Sequence, residues 1–363
     1  MKRVAFFMPS FRGGGAERVL VTLSGAFAEQ GIAADLVVAQ REGPNQPRAP
    51  QDGVRVVDLA ARRVLAAMPG LIRYLRTEKP DALLSALPHC NVVAVWARSL
   101  ARTRLRLVLS EHTTASASAA NAPLRRARAL PRFMRRAYPR ADAIVAVSDG
   151  VADDLALLTG IARTAITRIY NPVVTPRLLQ LAHERPPHEW FAPGAPPVLL
   201  GVGRLTAAKD FATLIRAFSD MRRQRAARLV ILGEGEQRPA LEALAASLGV
   251  GGDVTLPGFV DNPFAFMRHA AVFAVSSRWE GFCNALVEAM ACGTPVVSTR
   301  CDGPREILED GRHGRMVAIG DPAALARAID EALVGPPSLT AGARAREFGV
   351  DAAARAYRRL LGV

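Results

Sequence analysis

Two glutamates eight residues apart, Glu280 and Glu288, bracket the run Gly281-Phe282-Cys283-Asn284-Ala285-Leu286-Val287. A glycine-bearing turn sets Glu280 just ahead of a helix, with Glu288 one or two turns inside it. Both carboxylates can then point into one crevice and accept hydrogen bonds from two sets of hydroxyls, as a polyhydroxylated ligand requires. Backbone N–H groups at the helix start, near Asn284 and Ala285, would face an anion. A charged, solvated helix face is the competing reading, but it leaves the Gly281-Phe282 turn unexplained. Gly293 and Pro295 close the helix.

A second group lies in Gly201-Val202-Gly203-Arg204-Leu205-Thr206-Ala207-Ala208-Lys209-Asp210, which leaves an apolar run and enters an amphipathic stretch. Arginine offers a planar fork for a phosphate and lysine a mobile point charge. Five residues apart around a strand-to-helix loop, Arg204 and Lys209 can converge on one diphosphate. Lys209 is one of only three lysines, with Lys2 and Lys79, in a chain that otherwise uses arginine. A structural salt bridge is the alternative. Two weaker signals precede these. Arg12-Gly13-Gly14-Gly15-Ala16-Glu17 follows a first apolar run and opens a helix, where Gly14 and Gly15 let the backbone approach a phosphate or sugar. Arg18 occupies the third glycine position of a dinucleotide fingerprint, which weakens that reading; a simple tight turn is the alternative. Ser110-Glu111-His112-Thr113 ends another apolar run, and His112 there can donate to a ligand or be incidental.

The elements that must position these residues are legible from the hydrophobic pattern. Short β-branched runs alternate with amphipathic stretches, the pattern of parallel sheets with crossover helices. In the first half, strands are predicted at 3–8, 35–39, 54–58, 82–85, 106–110 and 143–147, with helices at 15–30, 64–78, 91–101, 123–138 and 149–159. Seven prolines between Asn171 and Pro197 mark a linker. A second series follows, with strands near 197–203, 228–233, 254–256, 272–275 and 295–298 and helices at 210–224, 237–248, 263–269, 284–292 and 322–333. The expected fold class is α/β: two doubly wound parallel-sheet domains, 1–172 and 198–344, joined by a linker at 173–197. Open α/β sheets bind ligands at the carboxyl ends of their strands, where every motif above falls.

A chain of 363 residues suits two domains, and its 50% hydrophobic composition is that of a globular protein. The net charge of +14 is almost wholly arginine and suggests an acidic partner, unless it is compositional bias spread over a solvated surface. Eleven arginines lie between Arg98 and Arg140 against the single acid Glu111. Among them Leu124, Ala127, Leu130, Phe133, Met134 and Ala137 recur at helical spacing, interrupted or kinked at Pro131. Arg125, Arg126, Arg128 and Arg132, with Arg135 and Arg136, could meet an anionic membrane or a lipid pyrophosphate. Equally, the apolar residues could be core and the arginines solvated. Few aromatics interleave the arginines and no nucleic-acid motif appears, so no nucleic-acid partner is expected. The four cysteines, 90, 283, 292 and 301, show no metal-ligand spacing and are expected reduced. The N-terminal apolar run is too short for a signal peptide and no run is long enough to span a bilayer. A cytoplasmic protein is expected, peripheral at most on the inner face of the membrane.

The Glu280–Glu288 segment resembles the Glu-x7-Glu signature of the family-4 retaining glycosyltransferases of the GT-B fold. The remaining landmarks fall in the family's order: Gly13-Gly14-Gly15-Ala16-Glu17, Val147-Ser148-Asp149-Gly150-Val151, Tyr170-Asn171-Pro172-Val173, Val202-Gly203-Arg204-Leu205 and Leu232-Gly233-Glu234-Gly235. The resemblance spans nearly the whole chain. It implies two Rossmann-like domains facing across a cleft, with a C-terminal helix, about 345–363, crossing back to the first. It implies a nucleotide-sugar donor, held by Gly14, Gly15, Gly203, Arg204, Lys209, Glu234, Phe282, Asn284, Ala285 and Glu288. Arg204 and Lys209 would take the diphosphate and Glu288 the ribose, while Glu280 would contact the transferred sugar and His112 would match the N-domain histidine near it. Cys301-Asp302-Gly303-Pro304-Arg305-Glu306-Ile307 resembles a subgroup that builds bacterial surface polysaccharides and lipid-linked oligosaccharides, often from UDP-sugars. A glycan or lipid-pyrophosphate acceptor is implied.

The family's proposed front-face route needs charge stabilisation on the departing phosphate, which Arg204, Lys209 and the helix start supply. No Asp-x-Asp pair sits at a strand end, so neither an essential metal nor a cofactor is expected. Three rivals remain. A sugar-nucleotide epimerase or glycoside phosphorylase shares the architecture. A nicotinamide oxidoreductase needs an acid closing strand two, which ends in Val38-Ala39-Gln40. A non-catalytic polysaccharide-binding protein would be expected to have lost some of Arg204, Lys209, Glu280 and Glu288.

Overall fold

Apolar runs of four to six residues, most of them covered on both faces, become strands, as parallel sheets require. The computed structural model describes residues 2–12, 14–43, 53–121, 128–336 and 338–363. These form two units, Met1–Pro172 together with Val350–Val363, and Val173–Gly349. Unit 1 contains β1 (Arg3–Met8), β2 (Ala33–Val38), β3 (Val54–Asp58), β4 (Ala82–Ala86), β5 (Arg106–Glu111), β6 (Ala143–Ala146) and β7 (Ile166–Arg168). Their order is β3-β2-β1-β4-β5-β6-β7, and every pairing is parallel.

Unit 2 contains β8 (Val198–Val202), β9 (Arg228–Leu232), β10 (Val254–Gly258), β11 (Val272–Val275), β12 (Val296–Thr299) and β13 (Arg315–Val317). Its parallel sheet runs β10-β9-β8-β11-β12-β13. The winding direction reverses between β1 and β4 in one sheet and between β8 and β11 in the other. Loops leaving those strands at their carboxyl ends frame the ligand crevice of a doubly wound sheet.

Each sheet is closed by helices whose apolar residues recur at three- and four-residue spacing. In unit 1, Phe6 packs edge-on to Phe27 at 5.5 Å between ring centres. The helix Val350–Leu361 adds Ala353, Ala354, Tyr357 and Leu361 to the same core, beside Val108 of β5 and Leu84 of β4. In unit 2, Leu214, Phe218 and Leu325 cover Leu199, Leu229 and Val272. Truncating a wholly buried Phe6 or Phe218 to alanine should cost about 3–5 kcal/mol.

The proline-rich stretch 173–197 is not a free spacer. Pro176 opens the helix Pro176–Ala182, capped where Leu178 N–H donates to Thr175 Oγ1 at 3.0 Å. Leu178 and Ala182 are buried, Asn262 Nδ2 donates to Leu181 O at 2.9 Å, and Phe191 meets Phe266 edge-on at 5.3 Å. A proline at the first helical position pre-sets φ and gives up an N–H with no partner to lose. So proline density here marks short, pinned segments of unit 2. Similarly, Pro131 lies in the first turn of the helix Leu130–Ala137 and starts it rather than kinking it. β7 and β13 escape the hydrophobic pattern because each is a three-residue edge strand without a continuous apolar face.

Candidate active site

The loop leaving β8 is held from both sides before any ligand is considered. Gly203 N–H donates to Leu232 O at 3.0 Å and Leu205 N–H to Glu234 O at 2.9 Å, tying it to the loop after β9. The two loops touch at backbone level: a Cβ on Gly233, whose φ is +135°, would sit 2.0 Å from Gly203 O. Only glycine fits there. At the loop's end Asp210, itself at φ +46°, caps the helix Phe211–Arg222, accepting from Thr213 N at 3.4 Å and Thr213 Oγ1 at 2.9 Å. Arg278 Nε donates to the same carboxylate at 3.0 Å, and Arg278 N–H to Ala208 O at 2.8 Å. The loops after β8 and β11, the strands flanking the sheet's reversal, are thus bolted together.

That bracing brings Lys209 and Glu280 into contact. Lys209 Nζ donates to Glu280 Oε1, which also accepts from Ser277 Oγ at 2.7 Å. Ser276 Oγ holds Lys209 O at 2.9 Å. Burial disfavours the Lys209 ammonium, but the charge of Glu280 and its hydrogen bond outweigh it and raise the pKa, while the nearby Arg204 charge opposes them. Lys209 is therefore a fixed cation at neutral pH. Gly203 leaves room for its stem, since a Cβ would lie 3.0 Å from Lys209 Cε. Arg204 stands exposed in the same loop. So Gly203, Arg204, Lys209 and Glu280 form one group. The salt bridge, one of the two alternatives on sequence grounds, is present, and it leaves Arg204 exposed beside it.

Glu288 lies one turn inside the helix Asn284–Ala291 and is 2% exposed. Cys283 precedes this helix at φ +81° and gives its first turn no side-chain cap, so Asn284 and Ala285 begin the helix directly after the Glu280 turn. A non-glycine residue held in the left-handed region marks a turn fixed by its surroundings. Gly303 is one such constraint, because a Cβ there would come within 2.6–2.8 Å of the Phe282 backbone. The Phe282 ring is buried, 5.3 Å from that of Phe348 and edge-on, and anchors the turn from beneath. An aromatic flanked by Gly281 and Cys283 had no sequence cue to say which way it turns. Glu234 has a charged partner close by. Its carboxylate is held by Arg238 Nε at 3.0 Å and Nη2 at 2.7 Å, leaving its carbonyl as its link to the Arg204 loop. Burial pushes the Cys283 and Cys292 thiols up to about 12, so neither is a nucleophile at neutral pH.

On unit 1, Gly14 caps the helix Gly15–Glu29, and Glu17 folds back over it; a Cβ on Gly14 would lie 1.9 Å from Glu17 Oε2. His112 follows β5, 8% exposed, and burial lowers its pKa to about 4, so the ring is neutral. Its Nε2 lies 3.0 Å from Ser110 Oγ. The adjacent Glu111 is wholly buried; burial raises its pKa to about 8, against hydrogen bonds from Tyr138 Oη and, at 2.6 Å, Asn91 Nδ2. Sequence reasoning passed over Ser277, Ser110, Glu111 and Asn91. Polar residues at the carboxyl ends of buried strands were the available signal.

Arg125 and Arg126 lie outside the described residues, as do Leu124 and Ala127. In the helix Leu130–Ala137, Met134 and Ala137 are core while Arg132, Arg135 and Arg136 are exposed, and Arg128 is exposed just before it. The three helix arginines line an open depression of about 450 Å³ with Ser116, Asp154 and Leu157, the last 86% exposed. Among the described residues no three His, Cys, Asp or Glu side chains gather as a metal site would need, and no helix is long and apolar enough to cross a membrane.

Tandem doubly wound units with a cationic strand-to-helix loop bonded to a Glu-x7-Glu turn define the class: a nucleotide-sugar transferase architecture. Comparison with known proteins agrees. The family model for glycosyl transferases group 1 matches residues 196–334, and that for glycosyltransferase family 4 matches residues 13–177. A lipopolysaccharide core biosynthesis glycosyltransferase of Rhizobium meliloti, LpsE, is 31% identical over 88% of this chain and 85% of its own. A Campylobacter jejuni enzyme, N-acetylgalactosamine-N,N'-diacetylbacillosaminyl-diphospho-undecaprenol 4-alpha-N-acetylgalactosaminyltransferase, is 33% identical over 63% of this chain and 60% of its own. Among solved structures, HepE of Anabaena in complex with UDP-glucose covers all of both chains with a TM-score of 0.81 at 21% identity. WaaG, a glycosyltransferase involved in lipopolysaccharide biosynthesis, gives 0.77 at 17% identity over 99% of this chain and 100% of its own. These structural likenesses show the GT-B fold. The chain belongs to the family-4, group 1 glycosyltransferases.

Proposed function

We propose that this glycosyltransferase moves a hexose or N-acetylhexosamine from a UDP-sugar to a glycan or lipid-linked acceptor of a cell-surface polysaccharide, with retention at the anomeric carbon. The observation that carries it is the Lys209–Glu280 contact, placed with Arg204 between the carboxyl ends of β8 and β11 and followed at once by the helix of Glu288. A fixed cation touching a carboxylate can serve two neighbouring parts of one ligand, a diphosphate and the sugar it carries. Arg204 and Lys209 would take up charge as the nucleoside diphosphate departs, without a metal. Glu280 would hold sugar hydroxyls and Glu288 the ribose. No protein nucleophile is invoked: the acceptor hydroxyl attacks from the face the diphosphate leaves, its proton passing to the departing phosphate.

The names of two relatives support a polysaccharide acceptor, since one acts in lipopolysaccharide core biosynthesis and one on a diphospho-undecaprenol substrate. UDP-glucose bound in HepE supports the donor class. Exposed Arg132, Arg135 and Arg136, beside an exposed Leu157, support peripheral contact with the anionic inner face of the cytoplasmic membrane, as does the exposed Arg128 just before their helix. The test is a panel of sugar nucleotides scored by thermal shift and by hydrolysis, followed by NMR of the anomeric configuration of the transferred sugar. Inversion would remove the stereochemical assignment. Epimerised donor or phosphorolysis, without transfer, would replace the reading by one of its rivals.

A further inference from the structure

The turn between Glu280 and the helix Asn284–Ala291 holds Cys283 at φ +81°. That conformation is costly for a residue with a side chain and persists only where the surroundings impose it. Two contacts impose it here. From one side the helix Asp302–Ile307 presses on the turn's backbone: Gly303 N–H donates to Glu280 O at 3.4 Å, and a Cβ on Gly303 would lie 2.6 Å from Phe282 O. From the other side the Phe348 ring, 1% exposed, meets the Phe282 ring edge-on at 5.3 Å.

Both contacts lead to Arg344. It is 7% exposed, so its guanidinium has to find its partners inside the protein. A helix ends on carbonyls that lack a helical partner, and Arg344 takes two of them at the end of Asp302–Ile307. Its Nη2 donates to Glu306 O at 3.0 Å and its Nε to Ile307 O at 3.1 Å. Its Nη1 donates to Glu347 Oε2 at 2.6 Å, and the guanidinium carbon lies 4.9 Å from the centre of the Phe348 ring. One planar cation thus fixes the far end of the short helix and the face of the ring. A lysine would keep the charge but could not offer a fork to two carbonyls together with a stacking plane.

We propose that Arg344 is a positioning residue for the Glu280–Glu288 turn: it clamps Phe282 between the helix Asp302–Ile307 and Phe348, and so holds Cys283 in the left-handed region. This rests on the reading that Glu280 and Glu288 meet the donor. The turn sets where Glu280 stands and where the helix carrying Glu288 begins, so a relaxed turn displaces both carboxylates together.

The experiment is amide hydrogen exchange of the full chain. The reporter is the peptide 280–288, which contains the Leu286 amide bonded to Cys283 O at 3.1 Å. Arg344→Lys should speed its exchange by about tenfold and leave β8 and β9 at their wild-type rates. Phe348→Leu, which spares the helix cap and removes the ring contact, should give the same local pattern more weakly. Cys283→Gly added to Arg344→Lys is the deciding variant. Glycine takes a positive φ without strain, so exchange in the turn should return toward the wild-type rate. Calorimetry with UDP should follow, with affinity about tenfold weaker in Arg344→Lys and largely restored by Cys283→Gly. An unchanged turn in both single variants would overturn the proposal. So would a loosening shared equally by β8 and β9, or no rescue by Cys283→Gly, either of which leaves Arg344 a general stabiliser of the fold. A wild type that binds no UDP would instead sink the proposed function, while the exchange pattern still decides this inference by itself.

Discussion

Lys209→Met and Glu280→Gln, made singly and together, test whether the cation proposed to face the diphosphate and the carboxylate proposed to face the sugar act as one unit. Lys209 Nζ donates to Glu280 Oε1 from side chains 22% and 12% exposed. That places the pair between a surface ion pair, worth about 0–1 kcal/mol, and a buried one, whose breaking costs about 3–5 kcal/mol. Each single variant should lose about 2 kcal/mol, a fall in Tm of about 4–8 °C for a unit of this size. The double variant should lose less than the sum, with a coupling of about 1–2 kcal/mol, because the second change removes a charge the first has already orphaned. Folding raises the Lys209 pKa above its ordinary 10.5. The pair's contribution is therefore complete below that value and lost only as pH rises through the elevated one, so melts at about pH 7 and pH 8 should agree. Turnover is the second axis. Lys209→Met should cost about a hundredfold or more at saturating donor, and Glu280→Gln should not rescue it. Arg204→Ala separates the two axes, since an exposed Arg204 should show the same turnover loss at nearly unchanged Tm. Urea and thermal melts, calorimetry with UDP and steady-state kinetics read these out. Additive melts within about 0.3 kcal/mol, or wild-type turnover in Lys209→Met, would refute the coupling argument.

Glu288→Gln should weaken UDP alone by about tenfold, whereas Glu280→Gln should spare UDP and hurt turnover and sugar selectivity; equal losses in calorimetry would dissolve that division. Glu111 provides a pH test on unit 1. Its folded pKa of about 8 lies above the ordinary 4.5, so the unfolded chain gives up this proton first. Stability should then fall as pH rises between those values, by at most about 1.4 kcal/mol per unit, and Glu111→Gln should flatten the slope; parallel pH profiles would mean that Glu111 ionises normally. Turnover should survive exhaustive EDTA treatment, and a loss restored only by a divalent ion would end the metal-free reading. Co-sedimentation with anionic liposomes should weaken steeply toward 1 M salt, where the Debye length is about 3 Å, and should drop further in an Arg132/Arg135/Arg136→Ser variant. No binding at low salt would make those arginines solvated surface.

What could be read in advance, and what could not, divides along contact range. That the Arg204–Lys209 loop, the Glu280 turn and His112 follow buried strands of doubly wound sheets was legible because a short loop after an apolar run is a local feature. The side chains that fix those residues come from farther away. Ser277 reaches Glu280 across a turn and could have been noticed beside Ser276 at the end of β11. Arg278 binds Asp210 across 68 residues, and Tyr357 meets Ser110 across 247. No spacing rule links such pairs, since their meeting depends on how a helix settles on a sheet. Phe282 and Glu234 show the converse. Both stand in recognisable motifs, yet one ring packs on Phe348 and one carboxylate is taken by Arg238 four residues on. A motif supplies a backbone path, and each side chain then goes where packing or a nearby charge is strongest. Roles assigned to a backbone position, such as the helix start at Asn284, are therefore better founded than roles assigned to a side chain. The exception is a side chain like Lys209, whose geometry a second loop holds.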